Sequence, residues 1–323
     1  MYKWIAILFF CLAPSAYAGQ QESVVDSTSN YPSNLTIPNV TIRIEGLSHC
    51  SSEASSELQL DSRESVTIIV HGCFSSAGRF RSLADVFEFH GQQTVCFSYD
   101  DRDRLTSSSA KLKTAIEELS AVLDTPRITL IGHSQGGLLA RRALIEESSS
   151  PLKHSNAEID LATISSPFGG IEAASHCGSK TAAWLSLGIV KLACQMVTGL
   201  KYKDIPATSE FIQQPGKLDS SVNRHLKIVT DEVDSCRVYD EQDKCIEDDF
   251  VFSVTEQSQS TVDQQPGLIP QTVKAGHVEI IGINNVVPLK LIGILQQQGY
   301  MRKTPPEATP ALTELLSNLY LSP

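Results

Sequence analysis

The run ITLIGHSQGG, Ile128 to Gly137, holds the break in pattern from which the fold of the whole chain can be read. Ile128 to Ile131 have the β-branched, apolar make-up of a buried strand, and the strand stops abruptly at Gly132-His133-Ser134-Gln135-Gly136. Leu138 to Glu147 (LLARRALIEE) then read as a helix. A G-x-S-x-G sequence in a loop would be an ordinary glycine-rich turn. Between a strand and a helix it is a sharp turn that presents the serine Oγ at its tip, and glycine on either side lets strand and helix approach closely. Ser134 is therefore the expected nucleophile, and the rest of the chain must supply a base, an acid and a pair of oxyanion donors.

Upstream, Val66 to Val70 (VTIIV) is a fully apolar strand that ends at His71-Gly72-Cys73-Phe74. Tight backbone at such an end can aim an amide at the space above Ser134, so the expected oxyanion donors are the N–H groups of Cys73 and Gln135. His71 stands beside glycine at a strand end and is expected to order the loop rather than to act as base. Thr94 to Ser98 form the next strand, Ser107 to Leu123 a helix, and Ile159 to Ile164 a further strand. Strand alternating with helix predicts an α/β fold with a mostly parallel central sheet and helices on both faces. Asp100 and Asp101, after the second of these strands, read as turn and cap residues.

Three blocks, VHG at Val70 to Gly72, GHSQGGLLARRAL at Gly132 to Leu144 and TISSPFGG at Thr163 to Gly170, resemble the α/β-hydrolase esterases and lipases. Within them the chain is similar to the group holding bacterial triacylglycerol lipases and the GPI inositol-deacylase-like and lecithin:cholesterol acyltransferase-like enzymes. Phe168 stands where the third block of that group usually carries histidine. The resemblance is close from Val66 to Gly170 and specific for fold more than for substrate. It implies the chain order serine, acid, histidine. His277 follows Thr272 to Gly276 and precedes a helical stretch, and resembles the family's catalytic histidine. His154, His176 and His225 lie in polar or pre-strand segments. The acid is harder to place, because nine Asp or Glu occupy Asp231 to Asp249, after the strand Leu226 to Thr230. The family's D-x-V-V type turn selects Asp249, heading Asp249-Phe250-Val251-Phe252, with Asp248 as the alternative and Asp231 third. The acid would fix the imidazole tautomer and stabilise imidazolium.

The ends and the composition frame this core. Met1 to Ala18, with Lys3, the apolar run Trp4 to Ala13 and Ala16-Tyr17-Ala18, reads as a secretory signal peptide cleaved after Ala18. Residues 19–34 read as a disordered leader and 35–304 as one hydrolase domain with an insertion at about 170–225; 305–323 read as a loosely packed tail. Asn34 and Asn39 head glycosylation sequons. Hydrophobic residues make up 41% of the chain and charged ones 20%, as in an ordinary globular enzyme. A net charge of -11 argues against a nucleic-acid partner and against electrostatic docking on anionic lipid, so any transient lipid contact would be apolar.

Eight cysteines, less Cys11 of the signal peptide, leave an odd number and hence one free thiol. Cys236 with Cys245 would close a small loop, Cys177 with Cys194 would clasp an insertion, and Cys50 with Cys96 is the third pairing. In the insertion, Thr181 to Val197 has a helical apolar pattern that would serve either as a lid over an acyl pocket or as a core helix. The expected function is a secreted or periplasmic serine hydrolase of carboxylic esters, lipid esters foremost, with no cofactor and no metal. Acyl transfer to an alcohol, or lipid binding on a catalytically silent scaffold, are the alternatives. The motifs fix neither chain length nor oligomeric state.

Overall fold

The computed structural model describes residues 39–50, 57–73, 75–124, 127–146, 157–172, 199–283 and 285–321. The expected signal peptide and leader, the stretch Thr181 to Val197 and both Cys177 and Cys194 lie outside them.

Eleven strands are described: β1 (Asn39–Ile42), β2 (Leu47–Ser48), β3 (Leu58–Asp61), β4 (Val66–Val70), β5 (Gln93–Phe97), β6 (Arg127–His133), β7 (Glu158–Ile164), β8 (Val222–Asp231), β9 (Cys236–Tyr239), β10 (Cys245–Asp248) and β11 (Leu268–Lys274). Five helices of eight residues or more accompany them: α1 (Arg81–Phe89), α2 (Leu105–Val122), α3 (Gln135–Ala143), α4 (Leu289–Gln297) and α5 (Thr309–Tyr320). Seven strands form one sheet in the order β11-β8-β7-β6-β4-β5-β2, parallel throughout except for β2, which runs antiparallel to β5. This is the α/β-hydrolase fold expected from the sequence. From β4 the chain crosses to β5 on one side and then returns to β6 on the other, so the sheet reverses direction between β4 and β6. Ligands of open parallel sheets bind at such a switch point, beyond the carboxyl ends of the strands.

The apolar strands are buried on both faces, as a sheet covered twice requires. In β4, Ile68 and Val70 join one core with Leu112, Ile116 and Leu119 of α2 and Leu138 and Leu139 of α3. Ile69, pointing the other way, joins a second core with Leu83 and Phe87 of α1, Leu291 and Leu295 of α4, and Leu312 and Leu316 of α5. The segment expected as a loosely packed tail therefore contains a helix that docks. Leu312, Leu316 and Tyr320 recur at a spacing of four, which puts one apolar stripe of α5 against α1. Pro305, Pro306 and Pro310 suggested a tail but occupy the entry to the helix, where proline is tolerated.

Two of the expected disulfides are present, Cys50–Cys96 and Cys236–Cys245, and Cys73 belongs to neither of them. No described helix is long and apolar enough to cross a membrane.

Candidate active site

Ser134 is the single residue between β6 and α3, with φ 55° and ψ -126°. That conformation is strained for any residue with a Cβ, and the surroundings hold it in place. The Ser134 N–H donates to the carbonyl of Ile164 at 2.8 Å, and its carbonyl accepts the Gly137 N–H at 3.0 Å. The flanking glycines are required by contact. A Cβ on Gly132 would lie 2.5 Å from the Gly136 carbonyl oxygen, and one on Gly136 would lie 2.2 Å from that of Val70. Backbone cannot yield as a side chain can, so β6, α3 and the end of β4 meet here only through glycine.

Two residues separate His277 from the end of β11, and its ring is fixed from several sides. Nδ1 lies 2.9 Å from Oε1 of Glu232, a residue 1% exposed that directly follows β8. The Ser165 hydroxyl donates to the same Oε1 at 2.7 Å and lies 2.8 Å from Nδ1. Thr230 Oγ1 donates to Oε1 at 2.8 Å. The second carboxylate oxygen accepts the N–H groups of Val251 at 2.6 Å and Phe252 at 2.8 Å. Burial alone would push the Glu232 carboxyl up. The hydrogen bond and charge of His277, with donors from Phe252 and Ser165, outweigh it and hold the carboxyl below its ordinary value. Phe252 packs edge-on to the imidazole at 4.9 Å, and His133 donates from Nε2 to the His277 carbonyl at 2.9 Å. Burial, with His277 nearby, holds the pKa of His133 down to about 3, so that ring is neutral. Among the described residues Ser134 Oγ and His277 share no hydrogen bond, a contact that commonly tightens only with substrate bound.

The expectation of Asp249 on His277 is corrected by this geometry. Asp249 is buried, but it accepts the N–H groups of Val278 at 3.0 Å and Glu279 at 2.9 Å and pairs with Arg237 at 2.9 Å. Its own carbonyl accepts the His277 N–H at 3.0 Å. Asp249 thus clamps the turn that carries the histidine, and a Cβ on Gly276 would strike its Oδ2 at 2.1 Å. Asp248 ends β10 on the surface, and Asp231, at the end of β8, lies 3.7 Å from Lys274. Glu232 was missed because the D-x-V-V pattern was weighed above proximity to a strand end. Strand alternation puts Glu232 on the same face as Thr230, just past the strand end, and that is the signal the sequence offers.

Of the expected oxyanion donors, Gln135 opens α3, so its N–H is one of the first-turn donors that have no intrahelical acceptor. The loop carrying Cys73 lies on the serine, since a Cβ on Gly72 would be 3.0 Å from Ser134 Cβ. His71 orders that loop. It stacks on Tyr99 at 4.4 Å, Nδ1 faces the Gly72 carbonyl at 2.9 Å, and burial holds its pKa down. His225 is buried between Thr163 and Gln265, and Phe168 is a core residue packed edge-on to it.

Residues 66–220, just under half of the chain, match the family model described as palmitoyl protein thioesterase. No protein of curated function matches the chain. Among solved structures, the mature lipase BlEst2 of Bacillus licheniformis is 14% identical with a TM-score of 0.43, over 72% of this chain and 92% of that one. The propionate-bound esterase Est2 of the planctomycete Thermogutta terrifontis is 12% identical with a TM-score of 0.44, over 83% and 91%. The lin2722 gene product of Listeria innocua is 15% identical with a TM-score of 0.47, over 74% and 96%. The sheet order and the strand-serine-helix turn give the chain the α/β-hydrolase fold, and residues 66–220 within it are similar to the palmitoyl protein thioesterase family.

Proposed function

We propose that the chain is an exported serine hydrolase that cleaves carboxylic esters and thioesters of apolar acyl groups through an acyl-enzyme on Ser134. Oγ attacks the acyl carbonyl while His277 takes its proton at Nε2. The oxyanion that forms is held by the N–H groups of Cys73 and Gln135. Collapse expels the alcohol or thiol with that proton, and His277 then activates water to release the acid. Glu232 keeps Nδ1 protonated and stabilises imidazolium. The observation that carries this reading is the buried Glu232–His277 pair, 2.9 Å apart, at the same carboxyl end of the sheet as the strained Ser134. Acyl transfer would use the same acyl-enzyme with an alcohol in place of water. Export is supported by the N-terminal apolar run and the two disulfides.

A fluorophosphonate probe should label Ser134 in the intact chain, and Ser134→Ala should abolish both labelling and hydrolysis while remaining folded. A panel of p-nitrophenyl esters from acetate to palmitate, run beside an S-palmitoyl thioester, ranks the substrate classes. Hydrolysis retained by Ser134→Ala would reject the mechanism outright.

A further inference from the structure

The proposed oxyanion donor Cys73 sits on a short loop, and one contact to that loop comes from far along the chain. Lys201 lies in a 3-10 turn, Gly199–Lys203, on the returning arm of the insertion, and is 2% exposed. Its ammonium donates to Cys73 Sγ at 2.8 Å and lies 3.8 Å from Asp101 Oδ2. A buried ammonium is kept in a fold when its partners offset the lost hydration, so this side chain is held to a defined position.

The turn around Lys201 is itself bolted to the loop after β5. The Leu200 N–H donates to the Arg102 carbonyl at 2.6 Å, and Gly199 approaches so closely that a Cβ would lie 2.3 Å from that same oxygen. Arg104 holds Asp204 through Nη2 at 2.6 Å and Nε at 2.8 Å. From the other side the Tyr99 hydroxyl donates to the His71 carbonyl at 2.8 Å, and Gln135 Nε2 donates to the Asp101 carbonyl at 3.2 Å. The contacts close a ring through the His71–Cys73 loop, the Tyr99–Arg104 loop and the 199–204 turn, to which the first residue of α3 is tied through Asp101. Cys73 is a link of that ring and Gln135 is bonded to it.

We infer that Lys201 is a positioning residue of the oxyanion hole, acting through the Cys73 thiol to hold the Cys73 N–H at the angle that a tetrahedral oxygen requires. The inference rests on the serine-hydrolase reading above. It ties the insertion to the chemistry, because the return arm buttresses the loop over Ser134. An oxyanion donor gains strength in the transition state more than in the ground state, so a misplaced one lowers kcat and leaves KM nearly unchanged.

The test is a double-mutant cycle on the intact chain with Lys201→Met and Cys73→Ala, and with Lys201→Arg as the conservative variant, read by active-site-titrated p-nitrophenyl butyrate kinetics and by fluorophosphonate labelling. Loss of a whole oxyanion donor costs about 100- to 1000-fold in kcat, so a displaced one should cost roughly 10- to 100-fold in Lys201→Met, with KM within about threefold. Lys201→Arg should recover much of this. Lys201→Met in the Cys73→Ala background should add little, since both changes cut the same link. Wild-type kcat in Lys201→Met overturns the inference, as does a fully additive cycle. A loss explained by fewer titratable sites, with a matching fall in melting temperature, overturns it in favour of plain packing. If Lys201→Met does not fold, Cys73→Ala carries the same kcat-against-KM comparison, and wild-type kcat in it rejects the inference. If the wild-type chain fails to label at Ser134, the serine-hydrolase reading falls and this inference with it. Normal wild-type labelling with an indifferent Lys201 removes the inference alone.

Discussion

Exchanging Glu232 for glutamine separates the two buried carboxylates that compete for the role of acid. Glu232 accepts five hydrogen bonds: three converge on Oε1, from His277, Ser165 and Thr230, and two on Oε2, from backbone N–H groups. An amide has a single accepting oxygen. With that oxygen kept towards His277, the new NH₂ confronts the N–H groups of Val251 and Phe252; flipped, it confronts Nδ1–H and drives the ring to the wrong tautomer. An acid-to-amide change of this kind costs about 10⁴-fold where the tautomer is lost. Glu232→Gln should therefore lower kcat by about 10³- to 10⁴-fold, roughly 4 to 5.5 kcal/mol of transition-state stabilisation, with KM changed little. Asp249→Asn makes a different demand. It leaves the His277–Glu232 pair intact but weakens one ion pair of Arg237, which also holds Glu247 at 3.3 Å, and turns an amide on the N–H groups of Val278 and Glu279, so its main cost is stability, about 1 to 3 kcal/mol. Titrating active sites with a fluorophosphonate, then measuring kcat per titrated site and the melting temperature, distinguishes the two variants. If Asp249→Asn lost the larger kcat per titrated site while Glu232→Gln kept most of it, the assignment drawn from the geometry would be wrong.

Three further outcomes follow from the same contacts. The His133 pKa is held down to about 3, and those of His225 and His71 are also lowered, each chiefly by burial. The unfolded chain therefore takes up protons that the folded one refuses. Their contribution is complete above about pH 6.5 and is lost as the pH falls towards 3, with His133 alone worth about 2 kcal/mol at pH 5, measurable as a denaturation midpoint that drops with proton uptake greater than one. Removing Cys50–Cys96, with a sequence separation of 46, should cost about 4 kcal/mol, against about 2.5 kcal/mol for Cys236–Cys245 with a separation of 9; equal losses in urea melts would contradict the loop-length argument. Deleting residues 305–323 strips Leu312, Leu316 and Tyr320 from the second core and should destabilise by roughly 5 kcal/mol, whereas a true tail would leave the melting curve unchanged.

Much of the site was legible because it is local. A β-branched run, a G-x-S-x-G break and a helix impose one backbone path within ten residues, and the glycines declare where strands and helix touch. His277 was legible for a related reason: it stands just past a strand and before a turn, where a parallel sheet collects its functional groups. The two described disulfides agree with two of the three expected pairings, of which the short Cys236–Cys245 loop is legible from spacing and Cys50–Cys96 is not. The acid was not legible by the same means. Nine carboxylates lie within one stretch, and which of them meets His277 depends on how β8 lies against β7 and β11 in space. Asp249 sits in the preferred pattern and is as buried as Glu232, yet its oxygens face backbone amides and the Arg237 guanidinium.

The sequence by itself determined the strand-serine-helix turn at Ser134, the parallel α/β sheet and the strand-end place of His277, because each follows from short-range backbone sterics and the period of apolar residues. Only the tertiary structure decided that Glu232 holds the imidazole, that Asp249 clamps its turn, that α5 docks on α1, and that Lys201 reaches Cys73. Those are meetings of residues up to 237 positions apart, as between Ser82 and the carbonyl of Leu319. Hydrogen-bond direction and register decide them, and neither leaves a periodic trace along the chain.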